Sequence, residues 1–281
     1  MNKRKFSTIT HSVLIFLILL VFTFLLGAPI IFFGNTQEWL DKNIAAALGY
    51  AIPMIATIYL VYWIIIKKEK SDIEKGTESK TNILNFSLGK PGKYLYIIII
   101  SLIMMLWVDF FASLIPMPDW AIELFEKAFN LSVPNIIMIA IFAPLLEEIL
   151  VRGLVLRGYL QNYTPNKAII ASAIFFGFIH LNPWQFIAGF ISGLLLGYLY
   201  YKTKSLTPSI LVHFLNNSLS VIFMIYYPNF NASFSELVGG GVPYYSLLIF
   251  SMMMGYVVMS KLNNILNEEY NTKIIKSKLI S

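Results

Sequence analysis

Eight apolar stretches, most of them long enough for a bilayer-spanning helix of about 20 residues, leave this chain few folds. They run from about Ser12 to Phe33, Asn43 to Ile66, Tyr94 to Ile115, Val133 to Leu160, Lys167 to Leu181, Trp184 to Tyr201, Leu206 to Tyr226 and Tyr244 to Met259. The fourth passes into an amphipathic helix, and the fifth is short, ending at Asn182-Pro183, where a helix boundary is expected. Of 281 residues, 57% are hydrophobic and only 13% charged, against about 25% charged in soluble domains. A water-soluble globule is excluded, and so is disorder, which needs low hydrophobicity. With no cysteine, disulfides, thiolate metal ligands and a cysteine nucleophile are excluded as well. The expected fold is all-α: a single integral membrane domain over residues 1–281 with about eight transmembrane helices and a polar tail at 261–281.

The charges orient these spans. Lys3, Arg4 and Lys5 precede the first one, but its apolar run exceeds the ~7–15 residues of a signal peptide, so it reads as a retained helix. With eight spans both termini lie on one side. Nineteen of the 21 Lys and Arg residues then fall on that side, and only Lys42 and Lys127 on the other. The positive-inside rule makes the lysine-rich side cytoplasmic, so N- and C-termini are expected in the cytoplasm of a multi-pass cell-membrane protein. The net charge of +6 is thereby accounted for without a nucleic-acid partner. The polar connection Lys67 to Lys93 reads as a cytoplasmic loop. Asn229 to Val242, with Gly239, Gly240 and Gly241 in a row, reads as an external one.

Ionisable side chains inside spans cost about 2.5–3.5 kcal/mol each and usually face a cavity with a task. Here they concentrate between Val133 and Ser220, the catalytic-motif core (133–220). Glu147, Glu148 and Arg152 lie on span four, His180 on span five, and His213 and Asn217 on span seven. Glu148 and Arg152 stand one helical turn apart and can pair. Glu147 lies about 100° further round, so one carboxylate can be held by the arginine while the other faces a cavity. Phe176 and His180 share a face at i, i+4, as do His213 and Asn217. An acid and two imidazoles on separate helices suggest hydrolysis by activated water: a carboxylate takes a proton, a histidine shares the water or carries the proton on, and a second histidine and an amide meet the developing oxyanion. Glu147, His180 and His213 are also the donor types that bind Zn²⁺.

Glu147-Glu148-x-x-x-Arg152, then Phe176-x-x-x-His180, then His213-x-x-x-Asn217, in that order on separate spans, resembles the CAAX protease and bacteriocin-processing enzyme family. That membrane-embedded group includes the type II CAAX prenyl endopeptidases. The resemblance implies an intramembrane endopeptidase acting on a membrane-associated peptide or protein. Glu147 and His180 would activate water, His213 and Asn217 would stabilise the oxyanion, and Glu148 and Arg152 would support the site. The family has been described both as metalloproteases and as metal-independent glutamate proteases. No His-Glu-x-x-His helix is present, so the commonest zinc-protease signature is missing. The substrate need not be prenylated; signal-peptide or pheromone maturation and bacteriocin processing fit equally.

Two other classes compete. A non-catalytic scaffold or bacteriocin self-immunity protein would use the same polar cluster to bind a partner. A transporter would use Asp109, Glu147 and His180 as a proton relay, although no internal repeat supports it. Asp109, His11 and Phe176 are read as structural. One geometric conflict stands: counted from the cytoplasmic ends at about 1.5 Å per residue, His213 lies near 10 Å deep and His180 near 20 Å. Straight, perpendicular helices would not bring them together.

Overall fold

The computed structural model describes residues 8–74, 83–128, 131–227 and 234–280, and every regular element among them is a helix. The chain runs α1 (Ile9–Thr36), α2 (Lys42–Glu74), α3 (Lys93–Ser113), α4 (Asp119–Ala128), α5 (residues 133–162), α6 (Pro165–Phe178), α7 (Pro183–Thr203), α8 (Thr207–Tyr226), the single turn α9 (Phe234–Leu237) and α10 (Gly241–Ile280). Five segments are long and apolar enough to cross a membrane: Ile9–Thr36, Lys42–Ser71, Lys93–Ser113, Thr207–Tyr226 and Gly241–Thr272. The other three expected spans correspond to α5, α6 and α7. At 14 residues, α6 is about 21 Å long, short of the ~30 Å hydrocarbon core. Helix α1 opens on a capping box in which Thr8 and His11 bond reciprocally, a structural use of His11.

Two long helices swallow a proline by the same device. Pro29 in α1 and Pro144 in α5 cannot donate a backbone hydrogen bond and would clash with the carbonyl four residues back. In each case the preceding turn, Thr23–Gly27 or Met138–Phe142, widens into a π-helical turn, and the residue before the proline bonds five back, Ala28 to Thr23 and Ala143 to Met138. The next carbonyl in the series, Ile139 in α5, would need the N–H that Pro144 lacks. Asn217 of α8 supplies the missing donor, its Nδ2 giving a 2.8 Å bond to the Ile139 oxygen. Inside a bilayer such a carbonyl has no water to turn to.

Helices α6 and α7 form an antiparallel hairpin closed by small residues. Gly189, Gly193 and Gly197 recur every fourth residue along α7. A Cβ added at Gly193 would sit 3.0 Å from the Ala173 Cα, and one at Gly189 would sit 3.2 Å from the Gly177 Cα. Without a hydrophobic effect between helices in lipid, such close backbone approach is what holds them. Asn182 caps α7 through a 2.8 Å bond from the Gln185 N–H, so the turn carrying His180 is fixed at both ends.

In the segment before α3, residues 85–87 lie across the α7–α8 turn. The Leu206 N–H donates to the Asn85 oxygen (2.8 Å), Asn85 Nδ2 to the Lys204 oxygen (2.7 Å), Ser205 Oγ to the Ser87 oxygen (2.6 Å) and Thr207 Oγ1 to the Phe86 oxygen (2.9 Å). Thr203, Ser205 and Leu206 are buried as a result. The first turn of α8 is therefore covered by polypeptide and not free at the protein surface. Lys93, fully buried, pairs with Glu269 at 2.9 Å. The polar segment from Lys261 thus continues α10 as a packed helix, with Leu262 and Leu266 buried. At the other end Asp109 accepts from the Tyr244 hydroxyl (2.9 Å) and the Phe234 N–H (3.3 Å), joining α3, α9 and α10, which is a structural use of that carboxylate. The expected loops at 67–93 and 229–242 lie partly outside the described residues. Of the second, Gly239, Gly240 and Gly241 all take positive φ, a turn glycine makes at no steric cost.

Candidate active site

Glu147 and Glu148 leave α5 in different directions, as adjacent helical residues must. Glu148 points into the α6–α7–α8 packing and is completely buried. Its Oε1 receives Arg152 NH1 at 2.8 Å and His213 Nδ1 at 3.0 Å. Arg152, equally buried, spends a second donor on the Gly193 carbonyl of α7 (3.2 Å) and lies over the Phe176 ring, 4.4 Å from its centroid. A side chain at 193 would meet Ala173 and the Phe176 ring at once. A buried charge is tolerable only when paired and bonded in this way.

Phe176 sits at the centre of this packing, edge-to-face with both His180 (5.2 Å) and His213 (5.4 Å). It packs between the two imidazoles and the guanidinium of Arg152. His180 Nδ1 lies 2.8 Å from the Phe176 carbonyl oxygen. A carbonyl only accepts, so this nitrogen carries the hydrogen and the neutral ring turns a bare Nε2 outward. In His213 the Glu148 carboxylate fixes Nδ1–H by the same logic.

Both Nε2 atoms face the second carboxylate. Glu147 Oε2 lies 3.9 Å from His180 Nε2 and 3.8 Å from His213 Nε2. It is buried and accepts no hydrogen bond from the described residues. The other oxygen, Oε1, accepts the hydroxyl of Tyr50 from α2. The structure thus brings Glu147, His180 and His213 to one point, with Glu148 and Arg152 directly behind. Asn217 stands one turn beyond His213, its one assigned bond going to Ile139 and not to the Glu147 cluster.

The donor types would suit zinc, but the arrangement does not. Tetrahedral coordination at about 2.0–2.1 Å places ligand atoms about 3.3–3.4 Å apart, closer than the 3.8 and 3.9 Å here, and Oε1 is committed to Tyr50. Among the described residues no group of three or more His, Cys, Asp or Glu is arranged to hold a metal ion. No step below is routed through one.

The family model described as Type II CAAX prenyl endopeptidase Rce1-like matches residues 129–219. The matched region, about a third of the chain, is similar to the family the motifs resemble and contains all seven motif residues. Together with five helices long and apolar enough to cross a membrane, the match makes this chain similar, over that region, to the CAAX-type endopeptidases. No curated protein and no solved structure gives a significant match.

Sequence reasoning passed over Tyr50, the Glu148–His213 bond and the Gly193 carbonyl. The glycine spacing on α7 was the readable signal for the last. Tyr50 offered none: it is one of three tyrosines in an apolar span, 97 residues from its partner.

Proposed function

We propose that the protein is an intramembrane endopeptidase that hydrolyses a peptide bond of a membrane-associated protein or peptide with a water activated by Glu147 and His180. The observation that carries this reading is the bare Oε2 of Glu147 facing two imidazole nitrogens at 3.8–3.9 Å. A water about 2.8 Å from each acceptor donates one hydrogen to Oε2 and one to His180 Nε2, leaving a lone pair for the scissile carbonyl carbon. As the C–O bond forms, Glu147 takes a proton from the water. The carbonyl oxygen becomes an oxyanion, and on collapse the C–N bond breaks and the amine departs with the proton Glu147 held. Acid and amine result, one water consumed.

His213 can donate to the oxyanion only when its ring carries both protons, because Nδ1–H is already committed to Glu148. That second proton must be on Nε2 before attack, since the water's proton goes to Glu147; Glu148, accepting from Nδ1–H, holds the ring in place. Asn217 has one amide hydrogen left after bonding Ile139. Its replacement by alanine is expected to lower kcat by about 10²–10³-fold, the scale of one oxyanion donor, with KM little changed. A fall in thermal stability with kcat intact would instead make Asn217 a support for the π-helical turn alone. The assay is cleavage of a quenched fluorescent prenylated CAAX peptide by the full chain in liposomes.

The same reading places both termini in the cytoplasm and opens the site to substrate from the membrane or its cytoplasmic face. A scaffold or self-immunity protein would need no exposed base. His180, whose side chain is 21% accessible beside a buried Glu147, favours an open reaction site over a sealed structural one.

A further inference from the structure

We propose that Tyr50 is a positioning residue for the Glu147 base, so that the site is completed by a helix outside the segment the family model matches. The proposal rests on the peptidase reading above. Tyr50 belongs to α2, well before residues 129–219, and its hydroxyl donates to Glu147 Oε1. The two oxygens of that carboxylate are consequently unequal. One is tied to the phenol, and the other is buried, unbonded among the described residues, and aimed at both imidazoles.

An untethered carboxylate turns about its terminal bond and shares its lone pairs between two orientations. A donor on Oε1 stops that rotation and holds Oε2 where the water must be. It also spreads part of the charge of a buried carboxylate onto a hydrogen bond. The fold keeps the phenol in place from behind. The preceding residue, Gly49, is in backbone contact with α1: a Cβ on Gly27 would sit 2.4 Å from the Gly49 oxygen and 3.1 Å from Pro53 Cγ. The α1–α2 pair is thus locked at the level of Tyr50. Further along, the Arg157–Glu69 ion pair at 2.7 Å and the Tyr159–Ser12 hydrogen bond tie α5 to the same two helices. Helices that carry none of the family's motif residues therefore fix the angle of the motif glutamate.

The test uses Tyr50→Phe, which removes one oxygen and keeps the ring, with Tyr59→Phe, on the lipid-exposed face of α2, as the control. The full chain is labelled with ¹³C-glutamate and reconstituted in liposomes. The Glu147 carboxyl band is isolated as the infrared difference between wild type and Glu147→Gln. Tyr50→Phe is expected to move that band and Tyr59→Phe to leave it in place. With the prenylated CAAX peptide as probe, Tyr50→Phe is expected to lower kcat by about 10²-fold, the cost of misplacing a reacting group by about an ångström, at unchanged KM and with thermal stability close to wild type. An unmoved band overturns the proposal, whatever the activity. A moved band with wild-type kcat also overturns it, since Tyr50 would then be a structural bond only. If wild type itself does not cleave the probe while the band moves as expected, the peptidase reading has failed in that assay, and the hold of Tyr50 on the carboxylate stands.

Discussion

Glu147→Gln is expected to lower kcat for the peptide probe by about 10²–10⁴-fold, the range associated with losing a positioned general base. The amide keeps the shape of the side chain and still offers an oxygen to Tyr50, so folding and substrate affinity should change little. What is lost is the capacity to hold the proton taken from water between attack and departure of the amine. Steady-state kinetics with thermal unfolding of the same preparation makes the measurement. Wild-type turnover from a folded variant would remove Glu147 as the base, whereas a folded wild type that cleaves no probe would leave the partner-binding scaffold as the better reading.

The largest effect on stability is expected at Arg152. Arg152→Met would leave Glu148, with no accessible surface, facing one imidazole in place of an arginine and an imidazole. Breaking one side of a buried pair costs about 3–5 kcal/mol, which thermal unfolding in detergent would show as a large drop in Tm. Lysine should not rescue it. The guanidinium reaches Glu148 and the Gly193 carbonyl at once while lying flat on Phe176, and a single ammonium cannot occupy those three positions. Glu148→Gln combined with Arg152→Met removes both charges and should recover much of the loss. A double variant as unstable as Arg152→Met alone would show that packing of the arginine, not its charge balance, is what matters.

Much of this could be read from the residues because lipid punishes polar groups so heavily. Glu147, Glu148, Arg152, His180, His213 and Asn217 stand out against apolar spans for that reason, and the i, i+4 spacing correctly foresees that Glu148 and Arg152 can meet. Depth was less legible. Counting residues from one side assumes that helices begin at the surface and run straight, whereas the first turn of α8 is covered by residues 85–87. Long-range hydrogen bonds to single residues were not legible at all. Nothing in an apolar helix marks Tyr50 as the partner of a glutamate, and only the pairing of Pro144 with a π-helical turn would have hinted that Ile139 needs a donor from elsewhere. The continuation of α10 past Lys261 was hidden because its polar residues suggest solvent, while Lys93 and Glu269 neutralise each other inside the protein.

The most direct measurement is a double-mutant cycle on kcat/KM between Glu147→Gln and His180→Ala. If both side chains act on a single water, removing the second after the first should cost almost nothing, because groups that work as a unit are strongly non-additive. The expected result is a double variant no slower than the slower single one. Losses that multiply in full would mean that the carboxylate and the imidazole act on separate events, and the shared water at the centre of this mechanism would have to be given up.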